Sequence, residues 1–199
     1  MNPVCCLDLE GVLVPEIWIN VAERTRIREL RLTTRDIPDY DVLMRRRIKI
    51  LRMHGIRLSD IQRVIASMRP LPGAVSFLDR LRGVRQVLIL SDTFYEFAGP
   101  LMKKLGQPAL FCNWLETDRS GFISGYRLRQ KNGKEKAVRG LRKIGFKTVA
   151  AGDSFNDLTM LKAADRGVLF RPPVKILKLR TGFPVTRTHA ALFRALTAR

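Results

Sequence analysis

Three short stretches of this 199-residue chain carry side chains able to do chemistry together: Asp8-Leu9-Glu10-Gly11, Ser91-Asp92-Thr93 and Gly152-Asp153-Ser154-Phe155-Asn156-Asp157. In the first, two carboxylates two residues apart follow the apolar run Val4-Cys5-Cys6-Leu7. A side-chain period of two turns both acids the same way if the strand continues, so Asp8 and Glu10 can serve one small site. Gly11 has no Cβ and lets the backbone approach an anion. Asp8 and Asp153 are hard oxygen donors suited to Mg²⁺, which takes few carboxylates and keeps waters and substrate oxygens. A carboxylate beside a phosphoryl group can also attack it and become an aspartyl phosphate. Ser91 offers a hydroxyl, and the helical stretch that follows Asp92 offers backbone N–H groups, together a phosphate-sized site. The basic loop Gln130-Lys131-Asn132-Gly133-Lys134 adds an ammonium to offset the charge of a transferring phosphoryl group, with Lys134 preferred over its neighbours Lys131 and Lys136. Taken alone, D-x-E-G also reads as a strand end with solvated acids; its company with the other two stretches favours a site.

Elements that could hold these groups together follow from the periodicity. Strands are expected at Val4 onward, Val84 to Leu90, Ala109 to Trp114, Thr148 to Ala151 and Gly167 to Phe170, with a last short one within Phe183 to Thr186, and each chemical stretch sits at a strand's C-terminal end. A hairpin is expected from Leu115 to Leu128, turning at Asp118-Arg119-Ser120-Gly121. Helices are expected over Gly73–Leu81, from Phe94 to about Leu105, Glu135–Ile144 and Leu158–Ala164, and strands alternating with helices imply a parallel sheet covered on both faces. In such sheets the carboxyl ends of the strands share one edge, where ligands bind. The tract from Pro15 to about Pro72 has helical periodicity and hardly any strand signal, with helices expected at Ile17–Leu30, Tyr40–His54 and Ser59–Met68 and a break at Thr33–Asp39. The expected organisation is therefore an α/β core of residues 1–14 and 73–199, Rossmann-like, with a small helical cap of residues 15–72 inserted after the first strand.

Composition sets the class. Apolar residues make up 46% of the chain, enough for a folded core, and no stretch reaches the roughly 20 apolar residues of a membrane span. The expectation is a cytoplasmic protein with no membrane partner and no secretory leader. Cys5, Cys6 and Cys112 read as core packing, and the two histidines, His54 and His189, make no zinc spacing and read as structural or surface residues. With 37 Lys and Arg against 18 Asp and Glu, the formal charge of +19 attracts polyanions and small anionic substrates alike. A nucleic-acid partner would add a binding motif or interleaved aromatic residues, and neither is found. Arg45 and Arg46 read as surface charge, and Trp18 and Tyr95 as either packing or cavity lining.

With its motifs in this order, the chain resembles the haloacid dehalogenase superfamily over essentially its whole length and, more narrowly, the phosphoserine phosphatases. Within them it is most similar to the bifunctional branch that also transfers phosphate from phosphoserine to homoserine. The segments Asp8 to Trp18, Thr34 to Met44 and Leu90 to Phe97 carry the likeness. The resemblance implies that Asp8 is the nucleophile, that Asp153 and the main chain at Glu10 help hold Mg²⁺, and that Ser91 and Lys134 grip phosphate. It implies that Asn156 and Asp157 support substrate and metal waters, and that Glu16 and Arg47 reach from the cap to fix the amino-acid part of the substrate. Most relatives in the superfamily carry Asp where this chain has Glu10, the acid and base of the reaction. The extra methylene moves the carboxyl by about 1 Å, enough to matter for a positioned catalyst. The expected activity is hydrolysis of O-phospho-L-serine, with transfer to homoserine as a second limb if slower water activation prolongs the phosphoenzyme. The alternatives are a phosphatase of another small phosphorylated metabolite, or a basic nucleic-acid-binding protein on the same scaffold. The oligomeric state is left open, a homodimer among the options.

Overall fold

A computed structural model describes residues 3–33, 36–37 and 39–198. Of the Thr34–Met44 segment, Thr34, Arg35 and Pro38 lie outside the described residues. The core is a seven-stranded sheet in the order β4-β3-β2-β1-β5-β6-β7. Its strands are β1 (Val4–Leu7), β2 (Gln86–Phe94), β3 (Ala109–Thr117), β4 (Ile123–Arg127), β5 (Thr148–Gly152), β6 (Arg166–Phe170) and β7 (Val185–Thr186), all parallel except β4, which turns back on β3 as the expected hairpin. β1 lies at the centre because it is apolar on both faces: Cys5 and Leu7 enter one packing cluster, Val4 and Cys6 the other, and all four are buried. In register, Leu7 pairs with Ile89 of β2 and with Ala151 of β5. The residues after each pairing, Asp8, Ser91 and Asp153, therefore leave the sheet at one edge.

Between β1 and β2 the chain forms α1 (Ile17–Thr25), a 3-10 turn (Arg28–Arg31), α2 (Tyr40–Met53), α3 (Leu58–Ser67) and α4 (Ala74–Arg82). The single helix expected over Ile17–Leu30 is broken because Arg26 takes a left-handed conformation (φ 59°) and its N–H closes on the Ala22 carbonyl, ending α1. α2 buries Leu43, Met44, Arg47 and Leu51, one stripe at helical spacing, while Arg45 and Arg46 face solvent. After β2 come α5 (Tyr95–Lys104), α6 (Gly133–Lys143), α7 (Leu158–Ala163), a short α8 (Val174–Leu177) and α9 (His189–Thr197).

Three further differences from the expectation have clear causes. β2 runs on to Phe94 instead of ending at Leu90, with an irregular register between those residues, so Ser91 sits within the strand at a bulge. α8 occupies part of the Pro172 to Phe183 connection, where Pro173 opens a single helical turn. α9, which the sequence reading did not name, is set by Thr188, whose side chain accepts from the Ala191 N–H, and by burial of Leu192 and Leu196 against the core.

Candidate active site

The site is built on Asp8, one residue beyond β1 and 5% exposed. Its Oδ1 accepts from the Leu9 N–H and from Lys134 Nζ, both at 2.8 Å. Lys134 enters from the first turn of α6, whose buried face carries Lys134 and Val138 one helical turn apart. The same ammonium is 2.8 Å from Asp157 Oδ1 and 3.6 Å from Asp92 Oδ2. Lys131 and Lys136 are exposed, so among the three lysines it is Lys134 that reaches Asp8.

Asp157 is fully buried and works as a brace. Its Oδ2 accepts from the N–H groups of Asp153 (3.0 Å) and Ser154 (2.9 Å) and from the Ser154 hydroxyl (2.9 Å). This reciprocal cap shapes the turn after β5 and sets the Asp153 backbone. Two glycines make room: a Cβ on Gly152 would strike the Asp157 carboxyl, and one on Gly11, which also has φ +75°, would strike the Asp153 carboxyl.

The electrostatics follow from the crowding of acids. Burial pushes the Asp8 carboxyl well above the usual range, and repulsion from Asp157 and Asp153 adds to it, with Lys134 pulling the other way. Burial works to lower Lys134, but Asp157, Asp8 and Asp92 outweigh it and hold the ammonium firmly charged. Asp8, Asp153 and Asp157 each offer an oxygen, all within 4.8 Å of one another. Asp157 already spends both oxygens on donors, Lys134 on one and the turn after β5 on the other. An all-oxygen donor set with excess negative charge fits a divalent cation.

A cavity of about 110 Å³ joins this end to the helices. Asp8, Glu10, Glu16, Arg47, Ser91, Asp92, Lys134, Asp153 and Asn156 all line it, so every cavity residue expected from the sequence is brought together, while Gly11 and Asp157 stand behind the wall. Glu10 Oε2 accepts from the Ile17 N–H at 2.7 Å, at the start of α1. Burial, then the neighbouring Glu16, raise the Glu10 carboxyl to about 8 against the pull of that hydrogen bond, Arg47 and Lys134, so it holds a proton near neutral pH. Arg47, 5% exposed, donates from Nη2 to the Leu32 carbonyl at 2.8 Å and lies 4.3 Å from the Trp18 ring centre. Among the described residues its Nε has no hydrogen-bond partner, and desolvation lowers the guanidinium to about 10. Ser91 is buried, its Oγ 3.2 Å from the Thr93 N–H.

Trp18 lines the cavity whereas Tyr95 does not, its hydroxyl donating to the Leu110 carbonyl. Sequence reasoning missed Thr33, Tyr40, Thr93 and Ser154 as cavity residues. Tyr40 donates to the Asp92 carbonyl at 3.2 Å and stacks edge-on against Tyr126, tying α2 to the sheet edge. No spacing signal marks it. For Arg47 a signal existed: Leu43, Arg47 and Leu51 are spaced by four, which places the third arginine of the run on the buried stripe. A second cavity of about 680 Å³ adjoins the first, sharing Tyr40, Ser91, Asp92, Lys134 and Asn156, and extends between the β3–β4 hairpin and the turn after β5.

Comparison with known proteins agrees with the fold. The haloacid dehalogenase-like hydrolase family matches residues 3–165. The chain belongs to this family. It is 54% identical over 191 residues to phosphoserine phosphatase ThrH of Pseudomonas aeruginosa, covering 96% of this chain and 93% of that protein. It is likewise 54% identical over 189 residues to a phosphoserine phosphatase of Pseudomonas syringae pv. tomato, covering 95% of this chain and 80% of that one. Among solved structures, a phospho-aspartyl intermediate analogue of phosphoserine phosphatase superposes with a TM-score of 0.77 at 20% identity, over 97% of this haloacid dehalogenase-like chain and 98% of the other. Among the described residues, no helix is long and apolar enough to cross a membrane.

Proposed function

We propose that this hydrolase is a cytoplasmic, Mg²⁺-dependent phosphoserine phosphatase that works through an aspartyl phosphate on Asp8. The observation that carries the reading is a single small cavity with phosphate chemistry at one end and an amino-acid grip at the other. At the first end stand Asp8, Ser91 and Lys134; at the second, the buried Arg47 keeps an Nε–H with no partner among the described residues, and Glu16 adds a carboxylate. A guanidinium grips a substrate carboxylate and a glutamate pairs with a substrate ammonium, the two groups phosphoserine carries beyond its phosphate. The names of the 54% identical relatives point the same way.

Mg²⁺ held by Asp8, Asp153 and the Glu10 main chain would supply charge compensation for the carboxylates and the phosphoryl oxygens. The chain's own residues do the rest. Leu9 N–H and Lys134 occupy Asp8 Oδ1, which leaves Oδ2 without a hydrogen bond among the described residues and available for attack on phosphorus. As the Asp8–phosphorus bond forms and the serine–phosphorus bond breaks, Glu10 passes its proton to the leaving serine oxygen. Glu10 then takes a proton from water, whose oxygen attacks the phosphoenzyme and releases phosphate. Ser91 donates to the phosphoryl oxygens, Asn156 supports the substrate, and residues 15–72 act as a cap that admits substrate and excludes bulk water.

The second limb is transfer of the phosphoryl group to the hydroxyl of homoserine. The adjoining 680 Å³ cavity gives room for such an acceptor, and the Glu10 carboxyl is anchored by the Ile17 N–H at the start of α1. The test is phosphate release from L-phosphoserine with Mg²⁺, with and without homoserine, using Asp8→Asn as the blank. Release that requires Asp8 supports the reading, and a phosphohomoserine product supports transfer. Absence of Asp8-dependent release moves the assignment to another small phosphomonoester. If Glu10→Asp leaves the ratio of transfer to hydrolysis unchanged, Glu10 does not set it.

A further inference from the structure

His189, at the start of α9, belongs to neither cavity, yet it is 7% exposed and both of its ring nitrogens face backbone oxygens. Nε2 lies 2.8 Å from the Val12 carbonyl and Nδ1 3.2 Å from the Pro72 carbonyl. Val12 belongs to the segment by which the chain leaves the core for the helical insertion, and Pro72 to the segment by which it returns. Among the described residues the two segments also meet through a hydrogen bond from the Leu71 N–H to the Leu13 carbonyl (2.9 Å), and the return turns at Gly73 with φ +83°. The ring is stacked between Phe77 of α4 and Phe170 of β6, centroids 5.1 and 4.8 Å away, so its position is fixed from the core side.

We propose that His189 is a positioning residue that clasps the two linkers of the cap, so that the protonation of one imidazole sets how firmly the cap is hinged to the core. This rests on reading residues 15–72 as a cap. The argument is a donor count. Both partners are carbonyl oxygens, which only accept, and a neutral imidazole has one N–H. Both bonds are donated together only by the imidazolium; in the neutral ring one carbonyl faces a lone pair. The clasp is therefore complete when the ring is protonated and half-released when it is neutral.

No carboxylate competes for the ring: its two hydrogen bonds among the described residues go to the carbonyls. Charged groups on the elements around it are engaged or exposed. On α4, Asp79 and Arg82 lie at Gly106, and Arg80 covers Phe193. Arg166 of β6 donates to the Leu196 and Ala198 carbonyls, and Arg171 lies over Phe170 and donates to the Arg187 carbonyl. Arg187 and Arg194 are exposed on either side along α9, as is Arg69 before the second linker, while Glu10 and Glu16 beside the first linker face the substrate cavity.

The test compares wild type with His189→Phe, which keeps a ring between Phe77 and Phe170 but donates nothing, and with His189→Gln, which keeps a donor that cannot titrate. Amide hydrogen exchange is followed in peptides covering residues 9–15 and 68–74 across about pH 5 to 8, after correction for intrinsic rates. Expected is a linker protection in wild type that falls as pH rises. Protection should be weaker by about five- to tenfold and independent of pH in His189→Phe, the worth of one to two net hydrogen bonds. In His189→Gln it should be intermediate and also independent of pH. For phosphoserine turnover, a loosened hinge lowers the population of the closed state, so KM rises severalfold while kcat at saturation stays within about twofold. A residue that merely supports folding would instead lower kcat at unchanged KM. Linker exchange in His189→Phe that matches wild type, or a pH dependence that persists in either variant, overturns the proposal. Should His189→Phe not fold, the pH dependence of His189→Gln decides alone. Should wild type not turn over phosphoserine, the functional reading fails, and linker exchange still decides the clasp.

Discussion

Arg47 gives the sharpest test of the substrate assignment. Replacing it with Met keeps an unbranched stem on Trp18 and beside Met44 while removing the guanidinium, whose Nε has no partner among the described residues and whose Nη2 spends one bond on the Leu32 carbonyl. If the guanidinium holds the substrate carboxylate through a charge-assisted hydrogen bond, its loss costs about 1.5–3 kcal/mol of transition-state binding, or about 10- to 150-fold in kcat/KM. The variant also leaves the Leu32 carbonyl short of a donor, and that structural cost falls on every substrate equally. The assay therefore pairs L-phosphoserine with phosphoethanolamine, which has the same phosphate and ammonium but no carboxylate. Arg47→Met should lower kcat/KM for phosphoserine by the full factor and for phosphoethanolamine by less than about threefold. Equal losses on the two substrates would refute the carboxylate grip and return Arg47 to the role of a brace for the Leu32 turn.

Three further outcomes follow from the site. Lys134→Met leaves Asp8 and Asp157 buried without their common cation, so urea unfolding should show a loss of about 3–5 kcal/mol together with loss of turnover; a change below about 1 kcal/mol would mean the triad carries little of the fold. Because Glu10 is raised to about 8 in the folded chain from the ordinary value near 4.5, folding binds its proton more tightly, and stability from this group is lost as pH climbs between those values. The Tm of metal-free protein should fall over that range, and Glu10→Gln should flatten the fall; identical profiles would show that Glu10 is not the titrating group. Burial pushes the thiols of Cys5, Cys6 and Cys112 up to about 12, so a disulfide reagent at pH 8 should label none in native protein and all three in denaturant.

Much of this protein is written locally. The central strand, its carboxylates and the glycine after them are legible because an apolar run of strand length ends abruptly in Asp8, and because strand-to-helix alternation forces the ends of parallel strands onto one edge. Ser91, Lys134 and Asp153 could be named for the same reason, each standing where the sequence pattern changes from one element to the next, although β2 in fact runs past Ser91 to Phe94. What tertiary structure alone decided is which groups are shared and which are shielded. Lys134 prevails over Lys131 and Lys136 because it lies one turn from Val138 on the face of α6 that packs on the sheet, and Asp157 becomes a buried brace through contacts with its own turn. Tyr40 joins the site across 52 residues by reaching the Asp92 carbonyl, a meeting no local pattern encodes. His189 meets Val12 across 177 residues, and its burial depends on two aromatic rings from two other elements. Periodicity records which face of an element is apolar; a polar side chain that crosses to a distant backbone carbonyl leaves no periodic trace, so its role emerges only once the chain has folded.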